Sequence, residues 1–233
     1  MKPRPNGFTL IELLVAITIM ALLAVLSWRG LDGMARATAQ TSQRADEVLT
    51  LQVGLAQWKV DLDALSQTPN ISALDWDGRV LRLTRRTAAS GAGLQVVAWT
   101  RRSDTGGQWT RWQSPVLRTV GDWSDAWLKA AAWGQGTRTE DRTQEVPVVP
   151  LEDWKIFYFR GNAWTNPLSS DRTAGSPLSV NTLAPTPKPN PTAVTQALVP
   201  EGIRLVLMLP ASQAVSGKLT VDWVKPTLGG DPS

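Results

Sequence analysis

The chain has 233 residues, of which 42% are hydrophobic, so it is long enough to bury the core of one or two domains. It contains neither cysteine nor histidine, which excludes disulfides, thiol nucleophiles, His-dependent triads and metal sites built on those residues. Its 24 basic and 20 acidic residues give a net charge of +4 without a dense basic block. The sequence therefore predicts no nucleic-acid partner.

The first predicted element is an apolar run, residues 8–28, that contains no charged residue after Glu12. As a helix this run is about 32 Å long, which spans a bilayer core of about 30 Å. Lys2 and Arg4 precede it, so the positive-inside tendency keeps the N-terminus in the cytoplasm. The sequence therefore predicts a single membrane-spanning helix, with the N-terminus in the cytoplasm and the C-terminal domain on the opposite side of the membrane.

Glu12 lies inside this apolar run, where an unpaired carboxylate costs up to a few kcal/mol. The C-terminal end of the run is a poor site for an ordinary signal peptidase, whereas Gly7-Phe8 offers a cleavage point on the cytoplasmic side. Cleavage there would give Phe8 a new amino group one helical turn from Glu12. That amine could neutralise Glu12 within one subunit, or pair with the Glu12 of a neighbouring subunit and set their axial register.

The helix is predicted to continue beyond the membrane over residues 29–66, because no proline occurs before Pro69. Asp61 and Asp63 are placed on faces away from its apolar stripe. Gly30 and Gly33 favour a bend or local melting, or else a close approach of neighbouring helices. The apolar stripe, which should pack a globular domain, has the 4-3-4-3 spacing of one helix face and consists of Leu51, Leu55, Trp58, Leu62 and Leu65.

Residues 67–233 are predicted to form a β-rich domain. Val80 to Gln113 is typical of a three-stranded antiparallel meander that folds against the helix stripe. Asp122 or Ser124 is expected to cap a short helix or packed loop in "GDWSDAWLKAAAW". The Pro-rich segment 165–200 is expected to be irregular and to add nothing to the core. Further strands are predicted in "EDWKIFYFRGNAW", at Gly202 to Pro210 and at Lys218 to Trp223.

The stretch "GFTLIELLVAI" resembles the class III leader and N-terminal helix of type IV pilins and type II secretion pseudopilins. The resemblance implies an α+β pilin-like fold, in which a long N-terminal helix packs on a C-terminal antiparallel β-sheet domain. It also implies that residues 1–7 are a leader, that a prepilin peptidase cuts after Gly7, and that Phe8 is N-methylated. Glu12 would be the assembly carboxylate.

Within that family the chain is most similar to the J-type minor pseudopilins of type II secretion. The similarity rests on the leader and on "LQVGLAQWKVDLDAL", "VLRLTRR", "FYFRGNAW", "PEGIRLVLML" and "KLTVDW". It implies a structural subunit of the pseudopilus tip complex. The implied partners are other minor pseudopilins, the major pseudopilin, the inner-membrane assembly platform and secreted substrates. A minor type IV pilin of a pilus or competence system would share every one of these physical features.

Two other features of the sequence, its paired carboxylates and its many tryptophans, are typical of other functions. The carboxylate pairs Asp75 with Asp77 and Asp122 with Asp125 lack the spacing of a glycosidase or calcium site, so neither enzymatic activity nor a cofactor or metal is predicted. The 12 tryptophans raise the alternative of a membrane-tethered carbohydrate-binding module. The favoured interpretation is that indoles fill the core of the β-domain. The five expected to do so are Trp109, Trp112, Trp123, Trp127 and Trp154.

Overall fold

A computed structural model of the chain describes residues 8–87, 93–104, 106–136, 144–169 and 199–226. The chain divides into two compact units, residues 1–46 and 47–233. Helix α1 (Leu10–Asp63) begins in the first unit and ends in the second. All other described helices and strands belong to the second unit, which is built of antiparallel sheets. The predicted α+β pilin-like fold is confirmed.

The described part of the first unit is the N-terminal portion of α1. The helix passes through Gly30 and Gly33 without interruption, so the local melting considered for these two glycines does not occur. A Cβ added at either glycine would meet nothing within 4 Å. The predicted leader, residues 1–7, lies outside the described residues.

The first sheet of the second unit has five antiparallel strands in chain order. Its three central strands are the predicted meander, and the sequence did not predict the two outer ones. The last strand contains Pro147 and Pro150, which an edge strand tolerates because one side of its backbone needs no partner. The strands are β1 (Leu74–Trp76), β2 (Val80–Arg86), β3 (Leu94–Arg102), β4 (Gln108–Gln113) and β5 (Glu145–Pro150).

The second sheet has four antiparallel strands in the order β7-β6-β8-β9. All four strands fall in segments that the sequence predicted as strands. The predicted turn at Gly161 and Asn162 joins β6 to β7, and both residues have positive φ. Residues 170–198, most of the predicted Pro-rich excursion, lie outside the described residues. The strands are β6 (Asp153–Arg160), β7 (Ala163–Thr165), β8 (Gly202–Leu209) and β9 (Gly217–Val224).

The first sheet is buried on both faces, which explains why consecutive residues of its central strands are buried instead of alternate ones. Leu81, Leu83 and Trp99 face the larger core, which includes the C-terminal part of α1 and the inner face of the second sheet. Their neighbours Val80 and Ala98 face a smaller core beneath helix α2 (Val120–Gly134). The domain therefore has the C-terminal part of α1 on one side of the first sheet and α2 on the other.

Thr119 caps the N-terminus of α2, so the predicted cap at Asp122 or Ser124 is wrong. The Thr119 hydroxyl accepts from the backbone N–H of Asp122 at 3.0 Å, and the Asp122 carboxylate accepts from the backbone N–H of Thr119 at 3.1 Å. These reciprocal bonds form a capping box, which satisfies two N–H groups that a helix start leaves without partners. Asp122 is the third helical residue.

Candidate assembly site

The N-terminal end of α1 places Glu12 at the third helical position, with Thr9 as the residue that caps the helix. Glu12 Oε2 accepts from the backbone N–H of Thr9 at 3.0 Å and from the Thr9 hydroxyl at 2.8 Å. The Thr9 hydroxyl in turn lies 3.4 Å from the backbone nitrogen of Glu12. The sequence Thr-Leu-Ile-Glu is thus a capping box.

This capping box shows what the sequence analysis overlooked at Glu12. A Thr followed three residues later by Glu at the start of an apolar run is a recognised helix-start signature. It gives the carboxylate two donors from its own chain and places the negative charge at the positive end of the helix dipole. Glu12 Oε1 makes no hydrogen bond with the described residues, so one carboxylate oxygen remains available to another group.

Phe8 and the apolar residues that follow it form a continuous exposed surface. Phe8 is 80% exposed, and the large apolar residues from Leu10 to Trp28 are all at least about half exposed. Across the described residues, α1 is the one helix long and apolar enough to cross a membrane, and its most apolar window is entirely unburied, with a mean hydropathy of 2.6. Such a surface requires lipid or other helices around it.

Residues 2–28 match the prokaryotic N-terminal methylation motif. This motif is the leader of type IV pilins and pseudopilins, so it supports a type IV pilin-like or pseudopilin protein. It implies that the chain is a prepilin-peptidase substrate that assembles with other pilin-like proteins, and the exposed apolar helix fits membrane anchoring. The chain has no significant match among curated proteins.

The motif covers the three residues predicted to act in maturation and assembly. Phe8 immediately precedes the capping residue Thr9, and Glu12 follows one helical turn later. Gly7, the predicted cleavage residue, lies outside the described residues. Cleavage after Gly7, methylation of Phe8 and pairing of Glu12 with a neighbouring amine therefore remain predictions.

The C-terminal part of α1 packs within the second unit through the predicted stripe. Leu51, Trp58 and Leu62 are buried in the larger core, and Leu55 and Leu65 pack against it partly exposed. Leu65 lies beyond the helix end and bridges to Arg85.

A buried charged cluster, which the sequence analysis missed, holds this helix on the first sheet. The Asp61 side chain is 0% exposed, although the sequence analysis placed Asp61 on a face away from the apolar stripe. Arg111 binds its carboxylate through Nε at 2.7 Å and Nη2 at 2.9 Å, and Arg85 donates a third ionic hydrogen bond. Trp99 Nε1 and Gln57 Nε2 each donate at 2.9 Å.

The surroundings of this Asp61 cluster explain why a carboxylate can be buried there. Ionic and neutral donors surround both oxygens, which offsets part of the cost of removing the charge from water. The partners Arg85, Trp99 and Arg111 lie on the adjacent strands β2, β3 and β4, so the cluster links one turn of α1 to the centre of the sheet. The chemistry is structural, because the carboxylate is fully enclosed.

The tryptophans form a core network centred on Trp58. Its ring lies 5.5 Å from that of Trp99, 5.8 Å from Trp109 and 6.4 Å from Trp154. Trp112 is also buried. The predicted core positions of Trp123 and Trp127 are corrected by the structure. These two residues of α2 stack their rings on each other at 5.1 Å and are only partly buried, because they lie at the rim of the smaller core.

The carboxylate pairs considered for catalysis have partners within the fold. Asp75 pairs with Arg82, and Asp77 Oδ1 accepts from the backbone N–H groups of Arg79 and Val80 at 2.8 Å each. Asp122 belongs to the α2 capping box. Within the described ranges, no group of three acidic residues is arranged to hold a metal ion.

Proposed function

We propose that this chain is a minor pseudopilin of the type II secretion system, which assembles through its N-terminal helix into the pseudopilus tip complex. The observation that carries the proposal is the methylation motif at residues 2–28, on a helix with an exposed apolar surface that continues into an α+β domain. The J-type resemblance of the downstream segments supports the secretion assignment over a pilus.

In the proposed maturation, the chain inserts into the inner membrane with its N-terminus in the cytoplasm and its C-terminal domain in the periplasm. The prepilin peptidase cuts after Gly7, and Phe8 becomes the methylated N-terminal residue. The new amine carries a positive charge. Thr9 can keep both of its hydrogen bonds to Glu12 Oε2, because cleavage leaves the Phe8–Thr9 peptide bond intact.

Glu12 Oε1 is then the acceptor for the amine of a neighbouring subunit. An ionised carboxylate has about four lone-pair sites, so the intrachain cap and an interchain ion pair are compatible. The apolar surroundings, in which an unpaired Glu12 carboxylate would carry a desolvation penalty, strengthen the attraction within this ion pair. The geometry of the pair fixes the axial displacement of one helix relative to the next. The proposed role of the chain is mechanical and non-enzymatic.

The test compares Glu12→Ala with Asp32→Ala in a host strain that lacks the native gene. Asp32 is an exposed residue of the same helix and pairs with Arg36 across one turn. We expect Glu12→Ala to insert into the inner membrane normally but to be lost from pseudopili, with exported proteins retained in the periplasm. Asp32→Ala should behave as wild type.

Two results would contradict this proposal in different ways. Normal incorporation of Glu12→Ala into filaments would remove Glu12 as the assembly group. Normal export in the absence of the gene, together with loss of surface pili, would favour the alternative of a minor type IV pilin, which the methylation motif fits equally.

A carbohydrate-binding module has less support. Such modules present coplanar indoles on an exposed sheet face, whereas Trp58, Trp99, Trp109 and Trp154 are buried against one another.

A further inference from the structure

A polar cleft of about 420 Å³ opens at one end of the first sheet, and neither α1 nor the Asp61 cluster contributes a residue to its lining. Three arginines line it: Arg79 just before β2, and Arg101 and Arg102 at the end of β3. The carboxylates that line it are Asp104 and Asp153. The volume is large enough to admit a side chain or a short peptide segment.

The three arginines differ in how their charge is balanced. Arg102 is 2% exposed and is held by Asp104, through Nε at 3.0 Å and Nη2 at 2.7 Å, with Glu145 at 3.6 Å. These hydrogen bonds raise the pKa of Arg102 above its ordinary value. Arg102 and Asp104 therefore neutralise each other and leave no free charge for a ligand.

Arg101 has a fixed guanidinium with no carboxylate partner among the described residues. Its Nε donates to the backbone oxygen of Leu151 at 2.8 Å, and its Nη1 donates to Ser103 Oγ at 3.1 Å. Gly107 makes room for it, because a Cβ at that position would lie 2.7 Å from Arg101 Nη2. The group is thus positioned by neutral acceptors that leave its positive charge uncompensated.

Arg79 carries the second uncompensated charge. Its side chain is exposed and its guanidinium has no partner in the described parts of the chain. Val80 pairs with Thr100, so Arg79, just before β2, and Arg101, just after Thr100 on β3, flank the last paired position of the two strands. Like charges in that arrangement repel each other, and an anion between them would relieve the repulsion. Asp153 does not fill this role, because it is 61% exposed and lies 3.9 Å from Lys155.

We infer that Arg79 and Arg101 form a binding site for a carboxylate on an acidic segment of a partner protein. The planar fork of a guanidinium matches the two oxygens of a carboxylate, and Arg101 is already fixed in position, so little side-chain entropy is lost on binding. This site is independent of the proposed pseudopilin role, since none of its residues belongs to the N-terminal helix.

The test measures binding of a fluorescently labelled hexaglutamate peptide to the full chain in a neutral detergent, by fluorescence anisotropy at low ionic strength. We expect saturable binding that Arg79→Gln weakens about tenfold, the loss typical of one charge-assisted hydrogen bond. Arg79→Lys, which keeps the charge but loses the fork, should be intermediate. The control, Arg44→Gln, makes the same change in net charge at an exposed helical residue outside the cleft.

Four outcomes would overturn the inference. Equal weakening by Arg44→Gln and Arg79→Gln would show attraction to net charge alone. Undiminished binding to Arg79→Gln, or no binding to the wild type, would remove the site. Competition by inorganic phosphate at concentrations where acetate has no effect would assign the cleft to phosphate groups instead of carboxylates.

Discussion

Replacing Asp61 by alanine should lower the free energy of unfolding by about 3–5 kcal/mol. The substitution leaves the guanidiniums of Arg85 and Arg111, whose side chains are only 10% and 11% exposed, without their buried counter-charge. Removing one partner of a buried ionic cluster costs this much because the remaining charges stay desolvated. Trp99 Nε1 also loses its acceptor.

The assay is urea unfolding of the full chain in detergent, followed by tryptophan fluorescence. With a urea dependence of about 2 kcal/mol/M, the midpoint should fall by about 1.5–2.5 M. Asp32→Ala is the control, because Asp32 belongs to an exposed pair with Arg36 and its removal should cost about 0–1 kcal/mol.

A second variant tests the reasoning behind that magnitude. Changing Asp61, Arg85 and Arg111 together to apolar residues of similar volume removes the cluster without leaving a charge behind, and should cost much less than Asp61→Ala. If Asp61→Ala shifts the midpoint no more than Asp32→Ala, or if the triple variant is the less stable of the two, the argument from buried charge is refuted.

Gly54→Ala should destabilise the chain by about 1–3 kcal/mol despite the better helix propensity of alanine, because the added Cβ would lie 2.3 Å from Val148 Cγ1; an unchanged urea midpoint would contradict this. Thr119→Ala should cost about 1 kcal/mol and speed amide exchange in α2, and unaltered exchange would contradict the cap. The hydrogen bond from Arg204 holds the pKa of Asp222 below its ordinary value. In acid the unfolded chain therefore binds more protons than the folded chain. The ionised Asp222 contributes its full stabilisation above about pH 4, and this stabilisation should be lost as the pH falls through the lowered pKa. Asp222→Asn should reduce the drop in urea midpoint between pH 5 and pH 2, and an identical drop would contradict the assignment.

Local patterns were sufficient to predict the parts of the fold that depend on neighbouring residues. The spacing of Leu51, Trp58 and Leu62 predicted the buried face of α1, and the alternation in β2 to β4 predicted the meander. Sequence patterns did not predict the outer strands, because β1 is only three residues long and β5 contains two prolines. Both are recognisable as strands only once the meander provides edges for them to pair with.

The charged clusters could not be predicted, because their partners are distant in the sequence. Asp61 is 24 residues from Arg85 and 50 from Arg111, and helical periodicity assigns an isolated acid to the solvent by default. The cap at Thr9 is the opposite case. Its partner Glu12 is only three residues away, so the Thr-x-x-Glu spacing alone is sufficient to predict this cap.

The most direct test of the account is N-terminal mass spectrometry of the protein purified from its native membrane. The account predicts a polypeptide that begins at Phe8 and carries one methyl group on its amino nitrogen. Recovery of a chain that retains residues 1–7, or one cut beyond Trp28, would contradict the claim that the apolar helix is a processed assembly helix.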